Sequence, residues 1–101
     1  MLFMLRIEVN LPPQMPPSEK ESLRERENNR SAELISKGRL VRIWRIVGQI
    51  ANYSVWSAPS LEALHEDIMS MPMFPYMKIN VTPLIDHPAT SATEDRNGRA
   101  P

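Results

Sequence analysis

One carboxylate stands where a helix should bury hydrocarbon. At about 100° per residue, Leu23, Glu27, Arg30, Ser31 and Leu34 share one helical face, so Glu27 lies inside an apolar stripe. An ionised carboxylate there is costly unless it is paired. Either Arg30 at i+3 compensates it, or the site is a cavity where a base is wanted, with its pKa raised by desolvation. Other polar residues sit in apolar settings. Arg42 and Arg45 are flanked by large hydrophobes, and each offers a rigid fork for a carboxylate, of a substrate or of Glu8 or Glu27 in a structural ion pair. Asn52 and Tyr53 point to opposite faces of one strand. Either can donate to a developing oxyanion, and either also fits as an ordinary strand residue. His65 falls in a helical stripe with Leu61 and Ile68, as a satisfied core histidine or a catalyst. His65 and the distant His87 lack a spacing such as HxxxH, so no metal is expected.

Composition narrows the chemistry. The 101 residues suit one small domain with a thin core. Twelve basic residues balance twelve acidic ones, so no global field favours nucleic acid or anionic lipid. The absence of cysteine excludes disulfides, thiol catalysis and thiolate zinc sites. The Met1–Leu5 run is too short for a signal-peptide core and is broken by Arg6 and Glu8, and no segment approaches membrane length. A cytoplasmic protein is the expectation.

The elements that must position these residues follow from periodicity. Phe3, Leu5, Ile7, Val9 and Leu11 alternate with polar neighbours, the period of a strand with one buried face. Pro12 and Pro13 end it. A helix is predicted from Ser18 to Gly38, opened by a capping box of Ser18 and Glu21. Strands over Leu40–Val47 and Ile50–Ser57 flank Gly48-Gln49 as a hairpin. Pro59 and Ser60 open a second helix, with Leu61, Leu64, His65 and Ile68 as its stripe, and Pro72 with Pro75 closes it. In a fourth strand Met77, Ile79 and Val81 face one way and Lys78, Asn80 and Thr82 the other. The polar tail 89–101, following a domain over 1–88, is expected to be mobile or exchanged between subunits.

This βαββαβ order predicts an α+β, ferredoxin-like fold, with two helices on one face of a four-stranded antiparallel sheet. The second strand looks apolar on both faces, Val41, Ile43 and Val47 against Leu40, Trp44 and Ile46. Helices cover only one face. The other, carrying Trp44, Ile50 and Trp56, is expected to meet another subunit.

The run Leu40–Val55, LVRIWRIVGQIANYSV, is one of several blocks in fixed register. With LEALH at 61–65, PMFPYM at 72–77, the His87-Pro88 pair, the opening MLF and Leu11-Pro12, it resembles the muconolactone isomerase family without a gap from Met1 to about Pro88. The resemblance implies a cofactor-free isomerase whose dimers assemble into a decamer. Its substrate would be a small lactone from bacterial catechol catabolism, isomerised to the 3-oxoadipate enol-lactone. Glu27 would carry the proton, with Asn52 or Tyr53 as donor to the dienolate. Arg24, Arg42 or Arg45 would hold the carboxymethyl arm, and Trp44 and His65 are further candidate substrate contacts. The chain departs from the family pattern at Met4, Asn28 and Ile50, where histidine, lysine and tyrosine are usual, and at Arg24, which replaces a lysine. A dehalogenating relative acting on chloromuconolactone, a non-catalytic binder of a small acid with a structural Glu27–Arg30 pair, and a purely structural oligomer are the alternatives.

Overall fold

The computed structural model describes residues 1–89, so the tail set apart above lies outside the described residues from position 90 onward. Strand β1 (Leu2–Val9) is followed by helix α1 (Pro17–Ser36), the hairpin of β2 (Leu40–Arg45) and β3 (Ala51–Ser57), helix α2 (Leu61–Met69), one 3-10 turn at Phe74–Tyr76, and β4 (Met77–Leu84). All pairings are antiparallel and the sheet order is β2-β3-β1-β4, the ferredoxin-like arrangement.

The alternation in β1 sends Phe3, Leu5 and Ile7 to the helix-covered face. There they pack with Leu34 of α1, Leu64 and Ile68 of α2, and Leu40, Trp56, Ala58 and Met71. Two edges of this core differ from the sequence expectation. Trp56 is 2 % exposed and belongs to the core, not to the open face. It pairs with Phe3 across the sheet, and that register fixes its side. His65 and Leu61, assigned to the buried stripe of α2, are exposed, because that short helix turns Leu64 and Ile68 into the core, with Ala63 packed at its rim.

The bounds of α1 also shift. Pro16 occupies the N-cap and Pro17 the first turn, so Ser18 caps nothing and the expected capping box does not form. Proline suits that first turn because its fixed φ is already helical and it has no N–H to leave unsatisfied. The helix ends at Ser36, and Gly38 adopts φ +72° just beyond it. Arg39 N–H donates to Leu34 O at 2.9 Å and Gly38 N–H to Ile35 O at 3.0 Å, the paired bonds of a Schellman stop. In the β2–β3 hairpin, Gln49 N–H donates to Ile46 O with Gly48 at φ +79°, a type II turn. This turn takes Ile46, Val47 and Ile50 out of the strands expected to include them.

A bulge decides which way β2 points its side chains. Leu40 pairs with Trp56 but Arg42 pairs with Val55, so Val41 is an extra residue and the alternation inverts after it. Leu40, Ile43 and Arg45 therefore lie on the helix side, and Arg42 and Trp44 on the open side. Simple alternation from Leu40 cannot give this assignment.

Helix α2 shows the cap that α1 lacks. Ser60 Oγ accepts from Ala63 N–H at 3.1 Å. We expect Ser60→Ala to cost about 1 kcal/mol, measured as a lower urea midpoint with unchanged m-value. A loss below a few tenths of a kcal/mol would show that core burial alone holds the helix start.

Candidate active site

Between α1 and the β2 end of the sheet lies a cleft of about 660 Å³. Helix α1 supplies Lys20, Arg24, Glu27, Asn28 and Ser31, the i, i+4, i+7 face that looks down on the sheet. From below come Ile43, Arg45, Ala51 and Asn52 of the hairpin strands. Val9, Asn10, Leu11, Ile50, Met73 and Met77 close the sides.

Glu27 is half-buried in this cleft, and its Oε1 accepts a hydrogen bond from the Met73 backbone N–H at 2.8 Å. Burial pushes its pKa above the usual carboxylate range, and the Met73 N–H offsets part of that rise. Arg30 does not compensate it. The Arg30 guanidinium pairs with Glu33 at 2.9 Å and donates through Nε to Ser70 Oγ at 2.8 Å. The reading of Glu27 and Arg30 as a structural pair therefore fails, because the i+3 side chain leans toward α2 and away from the cleft.

The cations of the cleft are uncommitted. Among the described residues Lys20, Arg24 and Arg45 form no ion pair. Three unpaired cations around one carboxylate leave an excess of positive charge that an anionic ligand would balance. Asn52 Oδ1 is buried without a hydrogen-bond partner. That enclosed acceptor marks a polar position in the cleft wall. No three His, Cys, Asp or Glu side chains gather in a metal-binding group among the described residues.

The residues singled out from the sequence thus fall in three places. Glu27, Asn52, Arg24 and Arg45 meet in the cleft. Arg42, Trp44 and Tyr53 are on the opposite face of the sheet, where the Arg42 guanidinium lies over the Trp44 ring at 5.2 Å. His65 is exposed on α2 and does not line the cleft. The structure thereby separates Asn52 from Tyr53, between which the sequence left the choice open. Two participants escaped sequence reasoning. Lys20, four residues before Arg24 on the same face, was findable by spacing. The Met73 N–H was not, because a backbone donor has no residue signature.

A family model for muconolactone delta-isomerase matches residues 1–90. The chain belongs to the muconolactone delta-isomerase family. It is an isomerase of that family, and its relatives are similar over nearly their whole length. The muconolactone delta-isomerase of Cupriavidus pinatubonensis is 40% identical over 90 residues, covering 89% of this chain and 98% of the relative. That of Pseudomonas aeruginosa is 40% identical over 96 residues, covering 95% and 100%. The crystal structure of a muconolactone isomerase superposes with a TM-score of 0.83 at 43% identity, covering 88% of this chain and 93% of that one.

Proposed function

We propose that this isomerase acts on muconolactone or a ring-substituted muconolactone, giving the 3-oxoadipate enol-lactone in bacterial catechol catabolism. The observation that carries this reading is a half-buried carboxylate, Glu27, held by a backbone N–H in a cleft whose cations are unpaired. The γ ring proton of the lactone is acidic because the anion left behind is conjugated with the carbonyl. Ionised Glu27 takes that proton, and the C–H electron pair becomes the dienolate with charge on the lactone oxygen. The Asn52 side-chain N–H donates to that oxygen. The same carboxyl then returns the proton to the α carbon, two ring positions away on one edge of the ring. One proton leaves and one returns, so atoms and electrons balance with no co-reactant.

Arg45, with Arg24 and Lys20 on the opposing wall, supplies the charge that holds the carboxymethyl arm. Apolar Ile43, Ile50, Met73 and Met77 leave room beside the ring for a methyl or chloro substituent. The open face of the sheet, with Leu2, Trp44, Tyr53 and Leu84 exposed, supports contact with further subunits, dimers building a decamer. The compartment we assign is the cytoplasm.

The test is an absorbance assay of purified protein with muconolactone beside its methyl and chloro analogues, repeated with Arg45→Ala. Turnover of at least one lactone is expected. Arg45→Ala should raise KM on the order of 10–100-fold, the value of one charge-assisted hydrogen bond, with a smaller change in kcat. Tight binding of a lactone that emerges unconverted would replace catalysis with a binding role.

A further inference from the structure

We propose that Arg30 and Ser70 are positioning residues for Glu27, fastening the end of α2 to α1 so that the Met73 N–H stays on the Glu27 carboxylate. The inference rests on the role proposed for Glu27 as the base.

Helix α1 touches the segment after α2 at two points. Glu27 accepts from Met73 N–H at 2.8 Å, and Arg30, one turn further along, donates from Nε to Ser70 Oγ at 2.8 Å. Ser70 is the C-cap of α2, and its hydroxyl passes the contact on by donating to Asp67 O at 2.6 Å. The guanidinium is itself fixed from behind by Glu33 at 2.9 Å. Only Met71 and Pro72 separate Ser70 from Met73. Met71 is buried in the core, and its carbonyl accepts from Phe74 N–H at 2.9 Å, while the ring of Pro72 fixes its own φ. A displacement of Ser70 is therefore transmitted through a short, stiff segment to the N–H that contacts the carboxylate. Arg30 also leaves the cleft to do this, which explains why the i+3 cation is not the partner of Glu27.

A purely structural staple and a positioning role differ in one readout, the titration of Glu27 itself. The charged groups that share its cleft are Lys20 and Arg24 from α1 and Arg45 from β2; the parts of β1, β3, β4 and the 71–76 segment that line it bring no titratable side chain. Ser70→Ala alters none of these charges. A shift in Glu27 then reports the Met73 N–H, whose loss raises the pKa of the carboxyl it served.

The experiment follows the Glu27 side-chain carboxyl by 13C NMR across pH in the full chain, with Glu27→Gln to assign the signal, alongside the pH profile of kcat/KM. Ser70→Ala and Arg30→Lys are expected to move the Glu27 midpoint upward by about half a pH unit or more, while Ser70→Thr, which keeps the hydroxyl, matches the parent. The acid limb of kcat/KM should move with it. An unchanged Glu27 midpoint in folded Ser70→Ala or Arg30→Lys protein overturns the inference, and either variant suffices if the other does not fold. A midpoint that moves while the acid limb stays put keeps the positioning of Glu27 and removes Glu27 as the base.

Discussion

Replacing Glu27 by glutamine is expected to lower kcat by about 10²–10⁴-fold, the range for loss of a positioned general base, and to leave the protein folded and more stable at neutral pH. The two effects share one cause. Burial raises the Glu27 pKa above its value in the unfolded chain, so the folded state holds the proton more tightly. The stability this group contributes is full below the unfolded pKa and is lost as pH rises through the raised folded pKa. Above that window the native protein carries an ionised, half-buried carboxylate, and the glutamine variant does not. The amide oxygen still accepts from Met73 N–H, so the local geometry survives. Thermal unfolding of both proteins between pH 4 and pH 8 should show a Tm difference that opens with rising pH, beside steady-state kinetics on the lactone. Turnover within a few-fold of the parent would remove Glu27 from proton transfer. A Tm difference of the opposite sign would show that the carboxylate stabilises the fold.

Trp56→Ala is expected to be the most damaging single change to the fold, at about 3–5 kcal/mol. The indole sits at the centre of the core between Phe3 and Leu40, its register partners on the neighbouring strands. Its Nε1–H donates to Ser54 Oγ at 2.8 Å, and Ser54 is fully buried. Truncation therefore opens a large void and leaves a buried hydroxyl without its partner. Domains of this size are stable by only about 5–15 kcal/mol, so the variant should be partly unfolded at physiological temperature. Trp56→Phe separates the two causes. It keeps most of the volume and loses the hydrogen bond, for about 1–3 kcal/mol. Urea titrations monitored by far-UV circular dichroism measure both. A Trp56→Ala loss below about 1 kcal/mol, within the ordinary range for a surface change, would contradict the central placement of the indole.

The same two residues show how far the chain can be read without coordinates. Alternation in β1 and β4 gave their faces correctly, because a regular strand has a period of two and nothing in either interrupts it. The helix stripe located Glu27, since a carboxylate among leucines is visible at any register. Trp56 and Trp44 look alike on paper, yet one is core and the other is 44 % exposed. Which is which depends on cross-strand pairing and on the bulge at Val41, neither of which has a composition. The start of α1 lies ahead of the expected capping box, because Pro16-Pro17 suits a helix start as well as a serine and glutamate at capping spacing do. In the candidate site, Glu27 and Arg24 of α1 were legible, while Lys20 and the hydrogen-bond partners were not. Arg30 and Glu27 are adjacent in sequence logic, but hydrogen bonds to Ser70 and Met73 come from forty or more positions away.

The bulge at Val41 amounts to a parity bit for β2. Beyond it, odd-numbered residues look into the cleft and even-numbered ones look out, so a single inserted position decides which of two nearly identical arginines lines the cleft and which lies over an exposed indole. Arg42 and Arg45 are three apart, an odd interval that guarantees they take opposite sides whichever way the bit is set. The strand therefore always places one cation inside and one outside. What the extra residue selects is that the inward arginine is the one nearest the hairpin turn, across from Asn52.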